Sequence, residues 1–195
     1  PILGLEAYVA ARTRFDRDPA KDKPRYHITL LSMNNQGFEN LMQLSTIANL
    51  EGVYYKPRID RELIEKYNEG IIALSGCAGG EVAENITAGD YEGAKRVALW
   101  YKGIFGDRYY LEMQDHGHPE NPCCWPTQTK INEQLAKMSK ELDIPLVVSN
   151  DGHYLNVEDQ AAHEVLLCVG TGSYLSDEKR MSMKEFQLYV TDPND

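Results

Sequence analysis

Five short apolar runs recur along the chain, and most are followed by a segment with helical spacing. "ILGLEAYVA" (2–10), "YHITLLSM" (26–33), "GIIALSG" (70–76), "RYYLEMQ" (108–114) and "IPLVVSN" (144–150) read as strands. After the second run, Phe38, Leu41, Met42, Leu44 and Ile47 fall close to a helical period. A short helix over 60–67 follows, with Asp60 at its N-cap position. A long helical region after the third run breaks near Gly89, and further helices read over 128–143 and 157–172, the last stopped by glycines. "RTRFDRDPAKDKPR" (12–25) and "YYKPRID" (54–60) read as loops, and the tail closes on a short β-like run, "FQLYVTD".

Strand–helix alternation with little in–out alternation inside the strands is the pattern of a parallel sheet or a βα barrel. The fold class is therefore α/β. Five βα units fall short of a closed barrel, which takes about eight strands. The first run also begins within its own strand at Pro1. The expectation is a piece of a longer polypeptide.

Composition narrows the function classes. A net charge of −10 over 195 residues argues against gripping nucleic acid by the general field of the molecule. A local basic groove, or a metal site that neutralises phosphate, stays compatible with it. No apolar run has the length of a membrane span, and no charged-then-apolar leader opens the chain. Cys77, Cys123, Cys124 and Cys168 show no C-x-x-C spacing, and reduced thiols in the cytoplasm are the expectation.

In parallel βα folds, chemistry gathers at the carboxyl ends of strands. Here Glu6 lies within the first run and His27 near the start of the second; the third runs out to Cys77. The fourth runs into Asp115, His116 and His118, the fifth into Asp151 and His153. Taken singly each has a plainer reading: Glu6 an edge position facing solvent, His27 a packed or capping histidine, Cys77 a small buried hydrophobe. Asp151 also suits a turn. Their recurrence, strand after strand, is the donor set of a zinc or manganese centre. "GTGS" (170–173) follows a helix, whereas a phosphate-binding P-loop would follow a strand.

"GLEAY", "YHITLL", "ALSGC", "YLEMQDHG" and "VVSNDGHYL" together resemble successive motifs of the PHP (polymerase and histidinol phosphatase) family. Within it they are most similar to the branch that opens the alpha subunits of bacterial replicative DNA polymerases. "GFENLMQLSTIANLEGVYYKPRIDRELIEKYNEGIIALSGC", "GDYEGAKRVALWYKGIFG", "AAHEVLLCVGTG" and "FQLYVTDP" carry that likeness over essentially the whole chain.

The resemblance implies a distorted barrel of the (β/α)7 type with metals at one end. It assigns Glu6 as a bridging carboxylate, with His27, Cys77, Asp151 and His153 as further ligands and Asp151 and His153 nearest the chemistry. The family's H-x-H motif and first two strands would precede Pro1, making residues 1–195 the larger, C-terminal part of the domain; a polymerase palm would follow residue 195. The resemblance further implies metal-assisted phosphoester hydrolysis, such as 3′–5′ exonucleolytic removal of nucleotides. The ions would be zinc or manganese in this domain and magnesium in a parent polymerase. DNA, a sliding clamp, and proofreading and clamp-loader components would be partners of that parent, in the cytoplasm and away from membranes. His116, His118, Lys56 and Arg58 are candidates for the rim of the site, and His163 for packing behind it. A free-standing phosphoesterase of small phosphate esters, or a catalytically silent scaffold, are the other readings.

Overall fold

The computed structural model describes residues 2–117 and 126–191. Among them, six strands form one sheet in the order β3-β1-β2-β4-β5-β6. The strands are β1 (Gly4–Ala10), β2 (Arg25–Ser32), β3 (Arg58–Ile59), β4 (Ile71–Leu74), β5 (Tyr109–Gln114) and β6 (Leu146–Ser149). The helices are α1 (Asn35–Leu50), α2 (Arg61–Lys66), α3 (Glu81–Thr87), α4 (Tyr91–Phe105), α5 (Pro126–Leu142) and α6 (Gln160–Thr171). The architecture is mixed α/β, as expected, and the sheet is open.

The sheet is not all-parallel, which corrects one expectation. β2 runs antiparallel to both β1 and β4, whereas β1–β3 and β4–β5 are parallel. The segment between β1 and β2 holds no helix, so β2 returns directly alongside β1. Apolar content cannot report this, because it records burial and carries no information on strand direction.

The chain divides into two compact units, Pro1–Met113 with Lys130–Val147, and Gln114–Thr129 with Val148–Asp195. The core of the first unit is set by period-2 selection on the strands. Val9 and Ile28, Leu30, Ile71, Ala73, Tyr109 and Leu111 are all at most 2% exposed and meet Leu44, Ile64, Ala98, Leu135 and Met138 from the helices. Burying a Leu- or Ile-sized side chain stabilises by roughly 1.5–3 kcal/mol, so this face secures the sheet. Residues of the other face are thereby free to be polar.

Helix ends follow their sequence signals. Asp60 caps α2, accepting from Leu63 N at 3.2 Å. Gly89, at φ +83°, separates α3 from α4, and α6 stops at Gly172 in the left-handed region. Two other expectations change. The 54–60 segment contains β3, a two-residue strand beside β1, too short to show any period. β6 is an edge strand rather than a buried one, with Leu146 38% and Val148 68% exposed. Its apolar run resembles a core strand because β-branched residues suit any pleated surface.

Arg58 is the other departure. Expected as a rim charge that could meet phosphate, it is fully buried. Its guanidinium donates to the carbonyls of Gly52, Arg14 and Asp16 at 2.9–3.0 Å and of Asp22 at 3.4 Å. Those bonds tie the 12–24 loop to β3 and leave the group unavailable to a ligand. Beside it, Arg14 pairs with Asp60 at 3.0 Å and with Glu51 at 2.7 Å.

In the second unit, "FQLYVTD" lies along the segment after β6: His153 N donates to Leu188 O at 2.7 Å, and Tyr154 bridges Tyr189 in parallel. Glu164, buried on α6, accepts from Arg180 at 2.6 Å, Ser182 at 2.9 Å and Met183 N at 2.8 Å. Among the described residues no helix is long and apolar enough to cross a membrane.

Candidate metal centre

Antiparallel pairing assembles the centre. In the β1–β2 ladder Tyr8 lies opposite His27 and Glu6 opposite Thr29. Residues opposite each other in a ladder share a face, so Glu6, Tyr8, His27 and Thr29 stand together on the side away from the core. His27 is at the amino end of β2, but reversal of that strand brings it beside the carboxyl ends of β1 and β4. This position near the start of its strand, evident already in the sequence, is one that the strand-end rule for parallel folds does not account for.

The turn after β4 delivers the third group. In "SGCAGG", Gly76 has φ +82°, and a Cβ there would lie 2.6 Å from His27 O. Glycine is therefore required by both conformation and space. The chain then wraps the histidine: His27 N donates to Gly79 O at 2.9 Å, and Gly79 N donates to Cys77 Sγ at 3.4 Å.

His27 Nδ1 consequently lies 2.5 Å from Glu6 Oε1 and 3.3 Å from Cys77 Sγ. One ligand atom from each of the three residues falls within 4.8 Å of the others. That is about twice a metal–ligand bond of roughly 2.0–2.3 Å. The Tyr8 ring and the imidazole pack nearly perpendicular, at 84°, with centroids 4.8 Å apart. Hydrogen bonds to Cys77 and then Glu6 outweigh partial burial and raise the His27 pKa from about 6.5 to about 10. The corner favours positive charge. Carboxylate, imidazole and thiol are a donor set for a borderline-soft divalent ion, and the residues present fit one.

Asp151 and His153 belong to the second unit. Asp151 is half-buried with φ +51°, a conformation Asp tolerates better than most residues. His153 is exposed; its Nδ1 lies 2.5 Å from Asp151 O, and its ring is 5.3 Å from that of His163. His116 is buried beside Phe186, with centroids 5.4 Å apart, and burial lowers its pKa. His163 is half-buried against Tyr154. Lys56 is exposed. His118, Cys123 and Cys124 lie outside the described residues. Cys168 is buried, a packing cysteine.

Three residues of this region escaped sequence reasoning. Tyr8 and Gly76 are placed by strand register and turn geometry. Glu112 on β5 is buried and accepts from Thr29 Oγ1 at 3.4 Å, which puts it on the polar face. A carboxylate inside "YYLEMQ" was the available signal.

The open mixed sheet, with carboxylate, imidazole and thiol converging at one corner, is that of an α/β domain carrying a group that could hold a metal ion. Residues 1–116 match the PHP domain, and the chain belongs to that family. It is 43% identical over 191 residues, 97% of its length, to the DNA polymerase III subunit alpha of Borreliella burgdorferi. The corresponding figures are 44% over 194 residues and 97% for that of Deinococcus radiodurans, and 41% over 197 residues and 100% for that of Thermus aquaticus. The chain spans only 14–16% of those relatives' lengths.

Proposed function

We propose that this chain is the larger part of a PHP domain, that Glu6, His27 and Cys77 hold divalent metal, and that the completed site hydrolyses phosphoesters. In this reading Asp151 and His153 also bind metal. The observation that supports it best is the convergence of Glu6, His27 and Cys77 on one point from β1, β2 and the turn after β4. Bound divalent ions supply an activated water and neutralise the non-bridging oxygens of a phosphate. The chain's own residues do the positioning. Gly79 holds the His27 backbone, the Tyr8 ring packs against the imidazole, Glu6 offers a carboxylate at the exposed rim, and the Cys77 thiol favours zinc over harder ions.

The parent in this proposal is a replicative polymerase alpha subunit, with its palm after residue 195 and magnesium at its polymerase centre. DNA and other replisome components would be its partners, and the cytoplasm its location. The PHP site would remove nucleotides from 3′ ends.

The test begins with metal content. After incubation with zinc or manganese and desalting, the wild-type chain should retain stoichiometric ion, and Glu6→Gln and Cys77→Ser should not. Equal retention by all three, or by none, would sink the assignment. Metal-dependent cleavage of bis(p-nitrophenyl) phosphate then reads the chemistry. An immunoblot of the native source for a polypeptide several times this length tests the parent.

A further inference from the structure

Beside the metal corner lies a cleft of about 590 Å³, lined by Tyr8, Lys23, Arg25, His27, Gly79 and Glu84 together with the 19–24 turn. We infer that this cleft binds the phosphodiester backbone of a single nucleic-acid strand through Lys23 and Arg25, beside the metal corner; the inference rests on the phosphoester reading above.

The argument starts from charge. The 12–25 loop carries six basic and three acidic residues, and its pairing is uneven. Asp22 is taken by Arg12 at 2.6 and 2.8 Å; Asp16 accepts from Thr13 Oγ1 at 2.6 Å and lies 3.7 Å from Arg12. Asp18 accepts from Ala20 N at 2.9 Å. Arg14 is consumed by Asp60, Glu51 and Glu62. Lys23 and Arg25 form no ion pair with any described residue, and both line the cleft. The chain's acidic total therefore hides a local cationic wall.

Arg25 supplies the second observation. Its Nε is buried and has no hydrogen-bond partner among the described residues. Its Nη1 makes only a long bond, 3.4 Å, to Lys23 O. A buried guanidinium N–H without an acceptor costs roughly 1–3 kcal/mol, and an arriving phosphate oxygen would remove that cost. The same guanidinium sits 5.5 Å from the Tyr8 ring centre, and that ring in turn lies against His27, with centroids 4.8 Å apart. Phosphate-binding cations, an aromatic ring and then the ligand cluster form one continuous path.

Two long cationic side chains on alternate residues, with an aromatic ring beside them, suit a strand better than a lone phosphate. Backbone charges meet the cations while a base or sugar meets the ring, which is the common design of single-strand grooves. Glu84 opposes this arrangement: a carboxylate in the cleft repels phosphate and confines the backbone to the Lys23–Arg25 wall.

The experiment is fluorescence anisotropy of a labelled short single-stranded deoxyoligonucleotide titrated with the full chain in EDTA, so that hydrolysis plays no part. Lys23→Ala/Arg25→Ala should weaken binding by about tenfold or more and flatten the salt dependence by about 1.4 in log–log slope, two contacts at roughly 0.7 each. Lys23→Ala alone, in an exposed turn, should give part of the loss with unchanged circular dichroism. Glu84→Gln should tighten binding, and Lys140→Ala, at an exposed position of α5, should change nothing. The inference is overturned if wild type does not bind, if the double variant binds as wild type does, or if Lys140→Ala loses as much. It is also overturned if dAMP competes as well per phosphate as the oligonucleotide, which would make the ligand a small phosphate ester. Strand binding without metal-dependent cleavage would leave the cleft assigned and remove only the hydrolytic reading.

Discussion

Cys77 Sγ faces His27 Nδ1 across 3.3 Å, although fifty residues separate them in the chain. The contact exists because β2 runs antiparallel to β4 and because Gly76 lets the turn after β4 close onto β2. A thiol and an imidazole held this way, with a carboxylate on the same nitrogen, have direct consequences for metal binding and stability.

Removing any one of the three donors should weaken zinc or manganese binding by about 10–100-fold or more, a range that even supporting-ligand losses reach. Calorimetric titration of Glu6→Gln, His27→Ala and Cys77→Ser checks this. Metal at about 100 times its dissociation constant should add about 2.7 kcal/mol of stability to wild type. At the same concentration the variants, weakened by that factor, should gain only about 0.4–1.4 kcal/mol or less.

The pH dependence has a definite sign. His27 goes from about 6.5 unfolded to about 10 folded, so its imidazolium stabilises the fold fully below about 6.5. That contribution is lost as pH rises through 10. Urea midpoints of the metal-free chain should fall between pH 7 and 10, and fall less in His27→Gln. Metal affinity should move the opposite way over the same window, since an ion takes the imidazole neutral and displaces its proton.

Gly76→Ala should lower stability by about 1–3 kcal/mol and weaken metal binding, because an L-residue at φ +82° is strained and its Cβ would press on His27 O. Gly89 has nearly the same φ, +83°, with open space around it. Gly89→Ala should therefore cost only about 1–2 kcal/mol and leave metal affinity intact. Equal metal loss in both would remove the close-approach argument.

Asp60 caps α2 and pairs with buried Arg14. Asp60→Ala removes both the cap and the buried carboxylate, while Arg14 keeps its more exposed partners Glu51 and Glu62, and should cost about 2–4 kcal/mol by urea denaturation. Asp60→Asn keeps the cap and should cost less. Glu62, whose side chain is 72% exposed, also touches Arg14, yet Glu62→Ala should stay within about 1 kcal/mol because solvent screens the pair.

Much of the fold was legible because its signals are local. Helical spacing placed α1, Asp60 announced α2, Gly89 marked the break before α4, and Glu6, His27 and Cys77 stood out as polar groups on apolar strands. β3 and the exposure of β6 were not legible. A two-residue strand has no period, and an apolar edge strand has the composition of a core strand.

By itself the sequence determined the α/β class, the positions of the helices and of the longer strands, the family motifs and the donor types. Those follow from side-chain periodicity, capping and chemistry, all of which act over a few residues. Tertiary structure alone decided that β2 runs backwards, that Arg58 is spent on carbonyls while Arg25 is not, and that Tyr8 lies against His27. Strand direction and the pairing of distant charges depend on which segments meet across tens of residues, and no local pattern carries that information.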